Sequence, residues 1–215
     1  MKRKEIAINN YKRFCNLKGS DYIASEFALE TILRLIDNFN ITKILELGLG
    51  IGSVSDTILK FSKEKNLSIE YEGTERNEFC LEVLPQNIED YEKICLYSEL
   101  NQVVDKKFDL IIIDGSDNSI MEIGKYCLKN SMIYIEGGRE VQTKNILKVF
   151  PKSLYVNVIT LKKNPSYAHE NRSVNSYIGG GQLIFINPNF KMRLFWFQQK
   201  IVTFMINKIR IYRKE

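Results

Sequence analysis

The run Phe108-Asp109-Leu110-Ile111-Ile112-Ile113-Asp114 sets four consecutive apolar β-formers between two aspartates. A strand without polar alternation cannot leave one face in water, so it belongs inside a sheet covered on both sides. The flanking sequence supplies that cover. Lys43–Leu47, Leu67–Thr74, Lys93–Tyr97 and Met132–Glu136 read as further strands. Between and before them lie segments of helical spacing: Ser20–Phe39, Val54–Phe61, Asn77–Leu84, Ser119–Leu128 and Thr143–Phe150. In the first of these, Ile23, Phe27, Ile32, Leu33, Leu35 and Ile36 share a face, and Ser20 or Asp21 is the predicted N-cap. Alternating strands and helices imply parallel strands joined by right-handed crossovers. Tyr155–Leu161 and Gln182–Ile186 have no helix between them and are expected to pair antiparallel at one edge. The predicted fold is therefore α/β: a doubly wound seven-stranded sheet, mostly parallel with an antiparallel last strand, over residues 20–188.

Composition fits one such domain. The chain has 215 residues, 44% of them hydrophobic, enough for a single sizeable core. Cys15, Cys80, Cys95 and Cys127 are scattered without a CxxC pair, which points to reduced thiols rather than a disulfide framework or zinc site. No apolar stretch follows Met1-Lys2-Arg3-Lys4, and no run approaches the roughly 18 apolar residues of a spanning helix. A cytoplasmic protein is expected. Its richness in Lys, Ile and Asn suggests a bacterial source with an AT-rich genome.

The charge is polarised. Residues 1–18 carry six Lys/Arg against one Glu, and residues 190–215 carry seven against one, while residues 19–189 are net acidic. A basic N-terminal segment (1–19) and a basic amphipathic C-terminal helix (189–215) thus flank an acidic body. A nucleic-acid partner is not expected, because its footprint would need a basic face on the domain itself. The C-terminal segment interleaves Phe190, Leu194, Trp196, Phe197, Ile201 and Phe204 with Lys and Arg. Four uses are open to it: peripheral contact at the inner face of an anionic membrane, docking on a partner, a homodimer interface, or packing on its own domain.

Chemistry concentrates in Glu46-Leu47-Gly48-Leu49-Gly50-Ile51-Gly52, at a strand-to-helix junction where open α/β sheets bind ligands. Glycines there permit positive φ and close backbone approach. A dinucleotide turn would read GxGxxG, and Ser53 stands where its third glycine belongs. Glu75 ends the second strand, where a ribose would need a carboxylate. Asp114, followed by Gly115, ends the central strand beside the same crevice.

This set resembles the motifs of class I S-adenosylmethionine-dependent methyltransferases, in particular the small-molecule O-methyltransferase group that includes the catechol and caffeoyl-CoA enzymes. The resemblance spans about residues 20–187 and implies a Rossmann-like fold with S-adenosyl-L-methionine as cofactor. It assigns Glu46, Gly48, Gly50 and Gly52 to the methionine end, Glu75 to the ribose and Ser98, with Glu99, to the adenine. Asp114 would line the methyl-transfer site, and the acceptor would be a hydroxyl of a small molecule or sugar, such as a bacterial surface-glycan precursor. His169, the single histidine, lies in the loop between the last two strands and is a candidate base. Arg139 and Arg172 could bind an anionic acceptor.

Metal-dependent members carry an Asp-Asn pair after the fifth strand, where this chain has Glu136-Gly137-Gly138. No metal is therefore expected, although Asp114, Asp117 and Glu136 offer three oxygen ligands. The rival readings are an NAD-linked enzyme, a nucleic-acid methyltransferase, and a catalytically silent methyltransferase-like subunit tethered to a membrane assembly.

Overall fold

A computed structural model of the chain describes residues 2–168 and 173–213. In chain order the elements are α1 (Arg3–Cys15), α2 (Glu26–Phe39), β1 (Lys43–Leu47), α3 (Ser53–Lys65), β2 (Glu70–Thr74), α4 (Glu78–Asn87), β3 (Ile94–Tyr97), β4 (Phe108–Ile113), β5 (Cys127–Glu136), α5 (Glu140–Val149), β6 (Leu154–Val158), β7 (Gly181–Phe185) and α6 (Phe190–Tyr212). The seven strands form one sheet in the order β3-β2-β1-β4-β5-β7-β6. β1 to β5 pair in parallel, and β7 runs antiparallel between β5 and β6. The expected doubly wound sheet with a reversed last strand is thus present, and β6 is an edge.

The apolar side chains of the central strands divide between two layers. Ile44, Tyr71, Leu110, Ile112, Met132 and Tyr134 face α1, α2 and α3. Leu45, Leu47, Ile111, Ile113, Ile133 and Ile135 face the opposite layer, with Ile123 and with Ile146 of α5. The continuous apolar run of β4 is explained by this double burial, since Leu110 to Ile113 are all fully buried.

Three stretches differ from expectation. The helix predicted over Ser20–Phe39 is broken into a 3-10 turn at Ser20–Tyr22 and α2, which starts only at Glu26. Ser25 is the actual N-cap, its hydroxyl accepting from the Ala28 N–H at 3.2 Å, and this bond competes with continuing the helix through residue 25. The helix expected over Ser119–Leu128 is a 3-10 segment at Ile120–Tyr126, and β5 begins already at Cys127. Residues 1–19, set apart by their charge, contribute a helix to the main core. Ile6, Ala7, Tyr11 and Phe14 of α1 form a buried stripe against α2 and α3.

α6 runs along β6 and closes the sheet edge. Trp196 Nε1 donates to the Tyr155 carbonyl at 2.9 Å, Thr203 Oγ1 to that of Asn157 at 2.6 Å, and the Arg210 guanidinium to that of Thr160. An edge strand presents unpaired carbonyls, and polar side chains of a covering helix satisfy them. Among the described residues no helix is long and apolar enough to cross a membrane.

Candidate functional site

The site lies at the carboxyl edge of the parallel strands. The chain leaves β1 through three glycines of positive φ: Gly48 at 85°, Gly50 at 55° and Gly52 at 95°. The Gly48 and Leu49 N–H groups both donate to the Thr74 carbonyl at 3.0 Å, and those of Asp114 and Gly115 donate to the Leu47 carbonyl at 3.0 and 2.8 Å. These bonds lock the exits of β1, β2 and β4 together. A Cβ on Gly48 would lie 2.6 Å from the Gly115 Cα, so the two backbones meet where no side chain fits. A Cβ on Gly50 would lie 2.4 Å from the Tyr22 carbonyl oxygen.

Above this floor opens a cleft of about 630 Å³, lined by Gly48, Gly50, Glu75, Ser98, Asp114 and Arg139 among others. Glu75 is its best-defined polar group. Oε2 accepts from the Gly50 N–H at 2.7 Å, and Oε1 accepts from the N–H groups of Arg76 and Asn77, both at 2.8 Å. A carboxylate offers about four acceptor positions. Three are taken, so Glu75 is held rigidly with one acceptor position left over. Ser98 follows β3 in the cleft wall, its N–H donating to Gln102 Oε1 at 2.8 Å. Asp114 reaches the far end, 3.3 Å from Arg139 Nη2. The same guanidinium holds the chain turn by donating to the Asp114 and Glu136 carbonyls.

Two residues assigned to the cofactor lie elsewhere. Gly52 is absent from the cleft wall; it is the N-cap of α3, and a Cβ there would press on Ile88 at 2.7 Å. Glu46 is wholly buried behind the glycine turn and accepts a hydrogen bond from the Tyr71 hydroxyl, while its Oε1 has no partner among the described residues. Burial pushes its pKa well above the ordinary carboxylate range; the Tyr71 bond opposes this, and the nearby charges of Asp114 and Glu75 add to it. Glu46 therefore sits beneath the loop, where burial favours its protonated form, and does not line the cleft. His169 and Arg172 lie outside the described residues.

The three oxygen donors considered for a cation are directed to protein partners. Asp117 accepts from the Leu100 and Ser119 N–H groups at 2.9 and 2.7 Å, and Glu136 accepts from the Ser25 N–H at 3.2 Å. Among the described residues, no cluster of three or more His, Cys, Asp or Glu is placed to hold a metal ion. The segment Asp21-Tyr22-Ile23 also walls the cleft, a role hidden by reading residues 20–39 as one helix. The signals for it were Gly19, whose φ is 87°, and Ser25, a good N-cap immediately before Glu26.

No family model matches the sequence, and no curated protein matches it. The chain has the fold of class I S-adenosylmethionine-dependent methyltransferases. It is similar to the SAH-bound methyltransferase PaMTH1 of Podospora anserina, with a TM-score of 0.53 at 12% identity over 84% of this chain and 87% of that one. A Klebsiella pneumoniae protein provisionally assigned as an O-methyltransferase gives 0.54 at 12% identity over 87% and 90%. A spermidine synthase bound to the transition-state analogue AdoDATO gives 0.53 at 16% identity over 79% and 64%. What is shared at these identities is the fold, which hosts more than one chemistry. The residues themselves fit S-adenosylmethionine: a side-chain-free floor at Gly48 and Gly115, and a fixed carboxylate with a spare acceptor for a ribose hydroxyl.

Proposed function

We propose that this chain is an S-adenosyl-L-methionine-dependent methyltransferase acting on a hydroxyl of a small molecule or sugar. The observation that carries the reading is Glu75, clamped by Gly50 at the mouth of a glycine-floored cleft. In this reading the backbone at Gly48 and Gly50 holds the methionine end, Glu75 takes a ribose hydroxyl, and the segment at Ser98 flanks the adenine. Bound there, the cofactor supplies an electrophilic methyl group on its sulfonium. The protein's share is alignment and proton removal. Asp114, oriented by Arg139, accepts the hydrogen bond of the acceptor hydroxyl and draws its proton away, with His169 as a further candidate base. Hydroxyl as the acceptor class rests on the resemblance of Ile113-Asp114-Gly115 to the O-methyltransferase segment. In a bacterial cytoplasm, a surface-glycan precursor is the acceptor to test first.

Calorimetric titration with S-adenosylmethionine and with NAD tests the cofactor. Binding of the first alone is expected, and no binding of it overturns the proposal. Transfer of labelled methyl to a panel of hydroxyl acceptors then tests the activity. Asp114→Asn should lower turnover while leaving cofactor affinity nearly unchanged. Cofactor binding without transfer to any acceptor would favour the silent-subunit alternative.

A further inference from the structure

α6 carries more apolar surface than its own domain buries. Its protein side is mixed: Met192, Phe195 and Trp196 pack onto the main core, while Gln199 and Thr203, 5% and 8% exposed, bond Arg34 and the Asn157 carbonyl, and Arg210 reaches Thr160. Its outer side is apolar. Phe190, Leu194, Phe197, Ile201, Phe204 and Met205 recur at helical spacing along one stripe, with Phe190 82%, Phe204 63% and Phe197 56% exposed. The main core and the edge of β6 account for the inner face. Among the described residues nothing covers the outer one, and burying such a stripe is what makes an amphipathic helix stable.

Charge identifies what covers it. Residues 190–213 contain Lys191, Arg193, Lys200, Lys208, Arg210 and Arg213 and no acid. Lys200 lies over the Trp196 ring at 5.2 Å, beside the stripe, and Lys208 over Phe204 at 5.7 Å, continuing the stripe's register toward its C-terminal end, so both stems run along apolar surface. A second copy docked through the same stripe would set two all-cationic helices against each other with no acid on either to pair. Anionic lipid headgroups would neutralise them.

We propose that α6 is an in-plane anchor that seats this protein on an anionic phospholipid surface. The outer stripe enters the headgroup–acyl boundary while the flanking Lys and Arg side chains meet lipid phosphates. At 23 residues and about 1.5 Å per residue the helix lies some 35 Å along the membrane. β6 is parallel to β1–β5, and Arg210 meets Thr160 just past its carboxyl end. The C-terminal end of α6 therefore lies at the same carboxyl end of the sheet as the cleft.

Flotation of the full chain with phospholipid vesicles tests this, independently of any cofactor. Binding to vesicles with about 30 mol% phosphatidylglycerol is expected to exceed binding to pure phosphatidylcholine at least about tenfold and to weaken in high salt. Phe197→Glu with Phe204→Glu should abolish flotation without lowering the melting temperature, both side chains being exposed. Lys200→Glu with Lys208→Glu should reduce it at least about tenfold. Failure to float with anionic vesicles overturns the proposal, as does equal binding to both lipids. A lipid-free dimer that Phe197→Glu dissolves would assign the stripe to a second copy instead.

Discussion

Replacing Glu75 by Gln keeps the side chain's length and removes its charge, and the structure fixes what is lost. The Gln carbonyl oxygen can still accept from Arg76 and Asn77. Its amide then faces the Gly50 N–H across 2.7 Å, donor against donor. One charge-assisted hydrogen bond disappears from the ligand-free protein, about 1–2 kcal/mol at this half-buried position. For a chain of this size each kcal/mol moves the melting temperature by roughly 2–4 °C, so a fall of about 2–8 °C is expected. The cofactor loses more. A ribose hydroxyl that donated to the spare carboxylate position forfeits a bond worth about 1.5–3 kcal/mol, or roughly 10- to 150-fold in Kd. Scanning calorimetry without ligand and titration calorimetry with S-adenosylmethionine read the two effects separately. A lowered melting temperature with wild-type affinity would refute the reasoning, because the carboxylate would then brace the glycine turn without touching ligand.

Other substitutions probe the same frame. Glu46 holds its proton more tightly in the folded state, so its contribution is full below the unfolded carboxylate range near pH 4 and is lost as pH rises toward its raised folded value. Glu46→Gln should therefore match the wild type in urea denaturation near pH 4 and exceed it in stability at pH 8; equal stability at both would show that the acid is not held protonated. Gly50→Ala forces a left-handed alanine, about 1–2 kcal/mol, and displaces the Tyr22 carbonyl; it should weaken cofactor binding in titration calorimetry. Gly52→Ala should destabilise through Ile88 yet leave that affinity within about twofold, since it lies off the cleft. Thr203→Val leaves the Asn157 carbonyl unpaired beneath α6, a cost of about 1–3 kcal/mol measurable by thermal denaturation.

What could be seen in the sequence was whatever depends on neighbours along the chain. Leu110–Ile113 declared a strand buried on both faces, and Gly48 and Gly50 declared a turn of positive φ, because such patterns are local. Glu75 followed from its place at a strand end. Features set by contacts distant in sequence stayed hidden. The position of Glu46 marks an acid, but only Tyr71 from the next strand shows it turned beneath the loop. The stripe Ile6-Ala7-Tyr11-Phe14 was masked by the surrounding Lys and Arg. The first half of β5 was masked by Lys129 and Asn130, whose polarity reflects an exposed strand start. For α6 the alternation was plain but its direction was not, since the inward face is chosen by carbonyls of a strand some forty residues earlier.

The order of strands in space also sets an order in time. β7 lies between β5 and β6, so β6 has no place in the sheet until β7 has been made. From the end of β5 at Glu136 to the start of β7 at Gly181, synthesis at about 5–20 residues per second takes roughly 2–9 s. Through that interval β5 presents an unpaired, strongly apolar border on a half-built sheet. The nascent chain must wait with that border open, and α6, made only after β7, is the segment that seals the finished edge.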